Sequence, residues 1–247
     1  MDWPFLEETF LSLIAALPLT IELAVTSICL GAILALLLAL GRLSGITVLD
    51  WFGRLYVFVF RGTPLLVQIF LIYYGLGQFP VIRHSIFWPF LRDPYWCAVL
   101  ALTLNTAAYA SEIIRGGLLS VPHGQVEAAR ACGMRPIMLF RRIVLPLAVR
   151  QALPAYGNEM ISMVKATSLT SIITLMEVTG VAAKIISETY RAIEVFVVSG
   201  AIYLVINFVL TRLVQFAEYR LSPHLRPPVS VSNTRSATEA VAAGDPQ

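Results

Sequence analysis

The sequence predicts an all-α polytopic membrane protein with five transmembrane helices, on three observations. Only 13% of the 247 residues are charged, 57% are apolar and the mean hydropathy is +0.76, whereas a soluble domain carries about a quarter charged residues. Apolar stretches recur that are long enough to cross ~30 Å of hydrocarbon, which takes about twenty helical residues. Finally, Lys and Arg divide unevenly between alternate loops.

Each span follows from its run of residues. Leu23 to Leu40 carries no charge and predicts a first span over 19–41. Gly62 to Ile82 is also uncharged and predicts a second over 60–82, with Thr63-Pro64 as a helix-start signal or a kink. Tyr95 to Ser111 predicts a third over 95–116. Pro154 to Met176 predicts a fourth over 154–176, interrupted by Glu159 and Lys165, and Val195 to Thr211 a fifth over 195–215. Residues 1–220 thus form one transmembrane domain, and the polar, small-residue stretch 221–247 is expected to be a disordered tail. The sequence contains no internal repeat.

Orientation follows from the basic residues. Of the 18 Lys and Arg, one set of loops and the tail hold thirteen, the other set only Arg83, Arg92, Lys184 and Arg191, and Lys165 lies within a span. The positive-inside rule places the N-terminus outside and the C-terminus in the cytoplasm. The acidic start MDWPFLEETF lacks a basic n-region and a following cleavage signal, so the first span is expected to stay in the membrane.

Composition narrows the chemistry. Cys29, Cys97 and Cys132 form no CxxC pair, and each is expected to be a small buried apolar residue; three scattered histidines form no metal cluster. A net charge of +3, spread along a hydrophobic chain, does not suggest a nucleic-acid surface. No G-x-x-x-x-G-K-[ST] occurs and no other Gly-rich loop could cradle phosphates, so this chain is expected to hold no nucleotide or other cofactor.

The informative stretch is EAARACGMRPIMLFRRIVLP, residues 127–146, on the cytoplasmic side. Read plainly, it is an interfacial helix with Ile137, Leu139 and Phe140 in lipid beside Arg141 and Arg142. Ala128, Ala129 and Ala131 instead make the first segment narrow enough for a protein groove. Gly133 can end that segment in a left-handed conformation, Pro136 can open a second and Pro146 can stop it. Glu127 is expected at the helix start, against the N-terminal dipole. The outcome is a rigid projection suited to transmitting force.

Glu127, Ala128, Ala129, Gly133, Ile143, Leu145 and Pro146 fall at the spacing of the EAA signature, and the stretch resembles that of the membrane subunits of bacterial ABC importers. FRGTPLLVQ (60–68), ALTLNTAAYASEIIRGG (101–117), SVPHGQVEAARACG (120–133) and LPAYGNEMISMVKATSL (153–169) are similar to the polar amino acid branch, within it to the histidine, octopine and nopaline permease group. The resemblance implies the type I importer permease fold, in a bacterial inner membrane. It makes 120–147 a coupling-helix loop that docks in a cytoplasmic ATPase. It also implies a second permease subunit, identical or homologous, two ATPases carrying ATP and Mg²⁺, and a periplasmic solute-binding protein.

Two other classes compete. A gradient-driven secondary transporter or channel would account for Glu159 and Lys165 inside a span, but the inverted repeats and paired broken helices of such carriers are not apparent. A membrane enzyme would need a His/Cys/Asp/Glu cluster that the chain lacks.

For the solute, Asn105, Tyr109 and Glu112 fall at i, i+4, i+7 on one face of the third span. On the fourth, Asn158 and Lys165 share a face, Glu159 and Ala166 the neighbouring one, and Ser162 lies between. These residues are the pathway candidates: the acids for a cationic group, Lys165 for a carboxylate. Alternatively Glu159 and Lys165 satisfy each other or the partner permease. Many polar amino acid permeases have Lys-Asp where this chain has Lys165-Ala166. One acid fewer suits a solute with a cationic group and several carboxylates, as an opine has, with arginine or histidine as the close alternative.

Overall fold

The structure, a computed structural model, describes residues 2–221; the tail from residue 222 onward lies outside the described residues. Among these residues every regular element is helical: α1 (Trp3–Leu43), α2 (Thr47–Gly62), α3 (Leu65–Phe70), α4 (Pro80–Arg83), α5 (Trp88–Leu91), α6 (Pro94–Leu119), α7 (His123–Ala131), α8 (Pro136–Leu139), α9 (Leu145–Ala166), α10 (Val178–Thr189) and α11 (Ala192–Leu221). Among the described residues three helices, α1, α6 and α11, are long and apolar enough to cross a membrane unbroken, and counting each of two bent pairs as one span gives up to five.

The bends are where the sequence-based boundaries needed revision. The second span breaks at the expected Thr63-Pro64 signal, so 60–82 is not one helix. α2 and the segment Leu65–Gln78 meet at 103°, because Pro64 supplies no N–H and Thr63 is extended, with its hydroxyl bonded back to the Val59 carbonyl at 2.8 Å. The fourth span begins before Pro154 and loses its α-helical form after Ala166. There the hydroxyls of Thr167, Ser168, Thr170 and Ser171 each donate to the carbonyl three residues back, at 2.7–2.8 Å. That bonding accompanies a 3₁₀ turn over Thr167–Ile173. Thr174 then takes a left-handed φ of 69° and the chain enters α10, which the reading of the sequence did not foresee.

Pro146 does not stop a helix either. A π turn over Phe140–Val144 precedes it, in which Leu145 N–H donates to the Phe140 carbonyl, and α8 runs through this turn into α9. The wider turn accommodates a residue that cannot donate.

α1 is the scaffold. At 41 residues it measures about 60 Å, well beyond one bilayer core. Its N-terminal half packs on α10 and α11 through Leu13, Ala16, Val178, Ala182, Val195 and Ile202. Its middle meets α3 and α6 through Leu23, Ile69, Cys97, Ala98 and Ala101. Its C-terminal half meets α6 through Ala35, Leu38, Ala107 and Ala110. Lipid removes the hydrophobic drive between helices, so small residues that allow close approach decide the contact. A Cβ at Gly31 would collide with the Thr106 methyl on α6. Of the cysteines only Cys97 is buried; Cys29 and Cys132 are exposed, contrary to the expectation for all three.

Candidate functional site

A cavity of about 300 Å³ opens where α6 and α9 meet, lined by Asn105, Tyr109, Glu159, Ser162, Met163 and Ala166. α6 presents Asn105 and Tyr109 one turn apart, and α9 presents Glu159 and Ala166 two turns apart, so the helical periodicity brings all four to one place. Glu159 is half-buried and its Oε1 accepts from Thr106 Oγ1 at 2.9 Å. The Arg61 guanidinium lies over the Tyr109 ring, 4.9 Å from its centroid. Asn105 is 8% exposed and donates through Nδ2 to Gln68 Oε1 at 3.0 Å and to the Phe60 carbonyl at 3.5 Å.

Not all pathway candidates meet here. Glu112 is turned into an ion-pair cluster, with Oε2 2.7 Å from Arg115 and Oε1 paired with Arg42, which also faces Asp50 at 3.5 Å. That cluster ties the ends of α1, α2 and α6 together, and Glu112 does not line the cavity. Asn158 and Lys165 are exposed on α9. Lys165 lines a separate groove of about 290 Å³ with Ser168, Thr179, Phe196, Ser199, Gly200 and Tyr203. Among the described residues no ion pair joins Glu159 to Lys165.

Reading the sequence missed four contributors. Gln68 and Arg61 lie inside the quoted FRGTPLLVQ segment, and an amide in an uncharged span was a signal to weigh. Thr106 carried none. Glu177 was overlooked although it is the lone acid of its stretch: it is fully buried, caps α10 through Gly180 N–H at 2.9 Å, and accepts from Tyr203 Oη at 2.7 Å.

A second feature is the projection between α6 and α9. α7 ends in a double bond pattern: Gly133 N–H reaches the Arg130 carbonyl at 2.9 Å, and Met134 N–H the Ala129 carbonyl at 3.2 Å. Gly133 sits between at φ +75°. Glu127 is not at the helix start. α7 begins at His123, so Glu127 stands mid-helix and exposed, beyond the reach of the first-turn dipole effect. Ala128 is exposed, Ala129 and Leu139 are buried, Ile143 and Pro146 are half-buried and Leu145 is exposed. Arg135, Pro136, Ile137, Met138, Arg141 and Arg142 line an open groove of about 920 Å³ at its tip.

Comparison with known proteins agrees with this architecture. Residues 27–223 match the family described as binding-protein-dependent transport system inner membrane component. The octopine transport system permease protein OccM of Rhizobium meliloti is 62% identical over 222 residues, covering 90% of this chain and 91% of that protein. The histidine/lysine/arginine/ornithine transport system permease protein HisM of Escherichia coli K12 is 40% identical over 210 residues, covering 85% and 88%. The crystal structure of an amino acid ABC transporter with histidines superimposes with a TM-score of 0.79 at 35% identity, covering 89% of this chain and 99% of that one. On the extent of the family match and the identity to these permeases, the chain belongs to the family of binding-protein-dependent transport system inner membrane components.

Proposed function

We propose that this chain forms half of the translocation pathway of an ATP-driven importer for solutes with a guanidinium, imidazole or ammonium group, opines and cationic amino acids among them. Relatives named for octopine and for histidine, lysine, arginine and ornithine support that class. The observation that carries it is the cavity between α6 and α9, where Glu159 is the one charged lining residue beside the neutral polar Asn105, Tyr109 and Ser162. A cation entering there meets Glu159 in a medium where charge-assisted hydrogen bonds are strong. Ala166 lines the same cavity and adds no second acid. A solute that also bears several carboxylates is therefore not repelled, which favours an opine over plain arginine or histidine. The groove of Lys165 suits a carboxylate of that solute.

A second permease copy or homologue completes the pathway against the exposed face of Asn158, Ser162 and Lys165. Two ATPases, which hold ATP and Mg²⁺, engage the 120–147 loop in the cytoplasm, with Glu127 as the exposed charge for a basic partner and Gly133 as its turn. A solute-binding protein delivers cargo from the periplasm, where the N-terminus lies. In the assembled importer, Glu159→Gln lowers uptake of the cationic solute by about tenfold, the order of one charge-assisted bond, and leaves basal ATPase activity and assembly intact. Uptake kinetics equal to wild type across cationic amino acids and opines would reject the assignment of Glu159.

A further inference from the structure

The break between α2 and α3 exposes carbonyls that have no helical partner, and in the membrane such groups must be satisfied within the protein. Gln68, 5% exposed, does this. Its Nε2 reaches the Phe60 carbonyl at 2.9 Å, the Thr63 carbonyl at 3.1 Å and Thr63 Oγ1 at 2.8 Å. Carbonyls only accept, and the Thr63 hydroxyl hydrogen is committed to the Val59 carbonyl at 2.8 Å. The amide of Gln68 therefore has one permitted orientation, with Nε2 toward the break and Oε1 toward α6. Oε1 accepts, so the Asn105 group 3.0 Å away must be Nδ2, which also faces the Phe60 carbonyl at 3.5 Å. Asn105 is left with Oδ1 as its polar atom for the cavity it lines.

We propose that Gln68 is a specificity-determining positioning residue. Through it, the broken backbone of the second span fixes the rotamer and polarity of Asn105, so that Asn105 Oδ1 joins the Glu159 carboxylate as an acceptor in a cavity whose other polar groups are the Tyr109 and Ser162 hydroxyls, able to donate or accept. The two fixed acceptors favour the N–H groups of a guanidinium or ammonium over an isostere that presents a carbonyl oxygen to them instead. This rests on the solute class proposed above and adds a residue that touches no solute.

The test is binding of labelled arginine to the permease–ATPase complex without its solute-binding protein, with competition by citrulline, in which a carbonyl oxygen replaces one guanidinium nitrogen. Wild type prefers arginine by at least about tenfold. Gln68→Leu reduces that preference by about fivefold or more, the remainder coming from Glu159, and Asn105→Leu does the same. The double variant is no worse than either single one, because Gln68 acts through Asn105. Unchanged preference in both single variants, or additive losses in the double, overturns the inference while leaving the solute class standing. Should Gln68→Leu fail to assemble, Asn105→Leu alone decides: an unchanged arginine preference overturns the inference and a reduced one supports it. A wild-type complex that binds citrulline as well as arginine overturns both.

Discussion

At the scale of single residues, the projection between α6 and α9 depends on one backbone conformation. Gly133 has φ +75° with open space around its Cα, so what it needs is conformational freedom and not room. A β-branched side chain resists positive φ, at a cost above the ~1–2 kcal/mol typical of other residues, whereas Asn tolerates it. Gly133→Val is expected to insert normally, with solute-stimulated ATP hydrolysis in proteoliposomes reduced to the basal rate, and Gly133→Asn to keep most of it. Normal uptake by a well-expressed Gly133→Val complex would contradict the proposed role of this turn. The same scale separates two acids that look alike in sequence. Glu159 reaches the cavity with one threonine donor, while Glu112 is held by Arg42 and Arg115.

At the scale of elements, each break has an identifiable chemical cause: Pro64 at the bend of the second span, serine and threonine hydroxyls at the end of the fourth, and a π turn before Pro146. Packing between unbroken helices depends on small residues. Gly31 on α1 lies against Thr106 on α6, and Thr106 in turn holds Glu159. Threonine is stiff at χ1, so a side chain at 31 cannot be absorbed without turning the hydroxyl away from Glu159 or parting the helices. Gly31→Leu should destabilise the purified complex by about 1–3 kcal/mol, as overpacking does. It should be visible as a lower thermal midpoint together with weaker solute binding. A variant with wild-type midpoint and binding would show that α1 and α6 are not in close register there.

At the scale of the whole molecule, orientation is the property on which the proposed assembly rests. The proposed orientation, N-terminus outside, requires that the segment of α4 and α5 face the periplasm and α7 the cytoplasm. In a cysteine-free background, a single cysteine at the exposed position of His84 should react with an impermeant thiol reagent from outside, and one at Gln125 should react only after permeabilisation. The opposite pattern would invert the molecule and remove the ATPase contact. Much of this plan was legible in the chain. The apolar runs marked the spans, and the spacing from Glu127 to Pro146 marked the projection. Helical periodicity placed Asn105 with Tyr109 and Glu159 with Ala166. Less legible was which polar side chains share a cavity, since periodicity assigns a face of one helix and not the helix opposite. Asn105, Tyr109 and Glu112 share a face on paper, yet α1 and α2 bring Arg42 to Glu112 and α3 brings Gln68 to Asn105.

The sequence by itself determined that this chain lives in lipid, about where it crosses, and that it carries a glycine-turned, proline-flanked projection, because hydropathy, charge placement and backbone preference are local properties of residues. The tertiary structure alone decided that Gln68 closes the break left at Pro64, and that Glu159 rather than Glu112 faces the cavity. Those outcomes depend on where distant helices lie. A buried polar atom in a membrane takes whichever partner the packing brings within reach, and no local pattern encodes that partner.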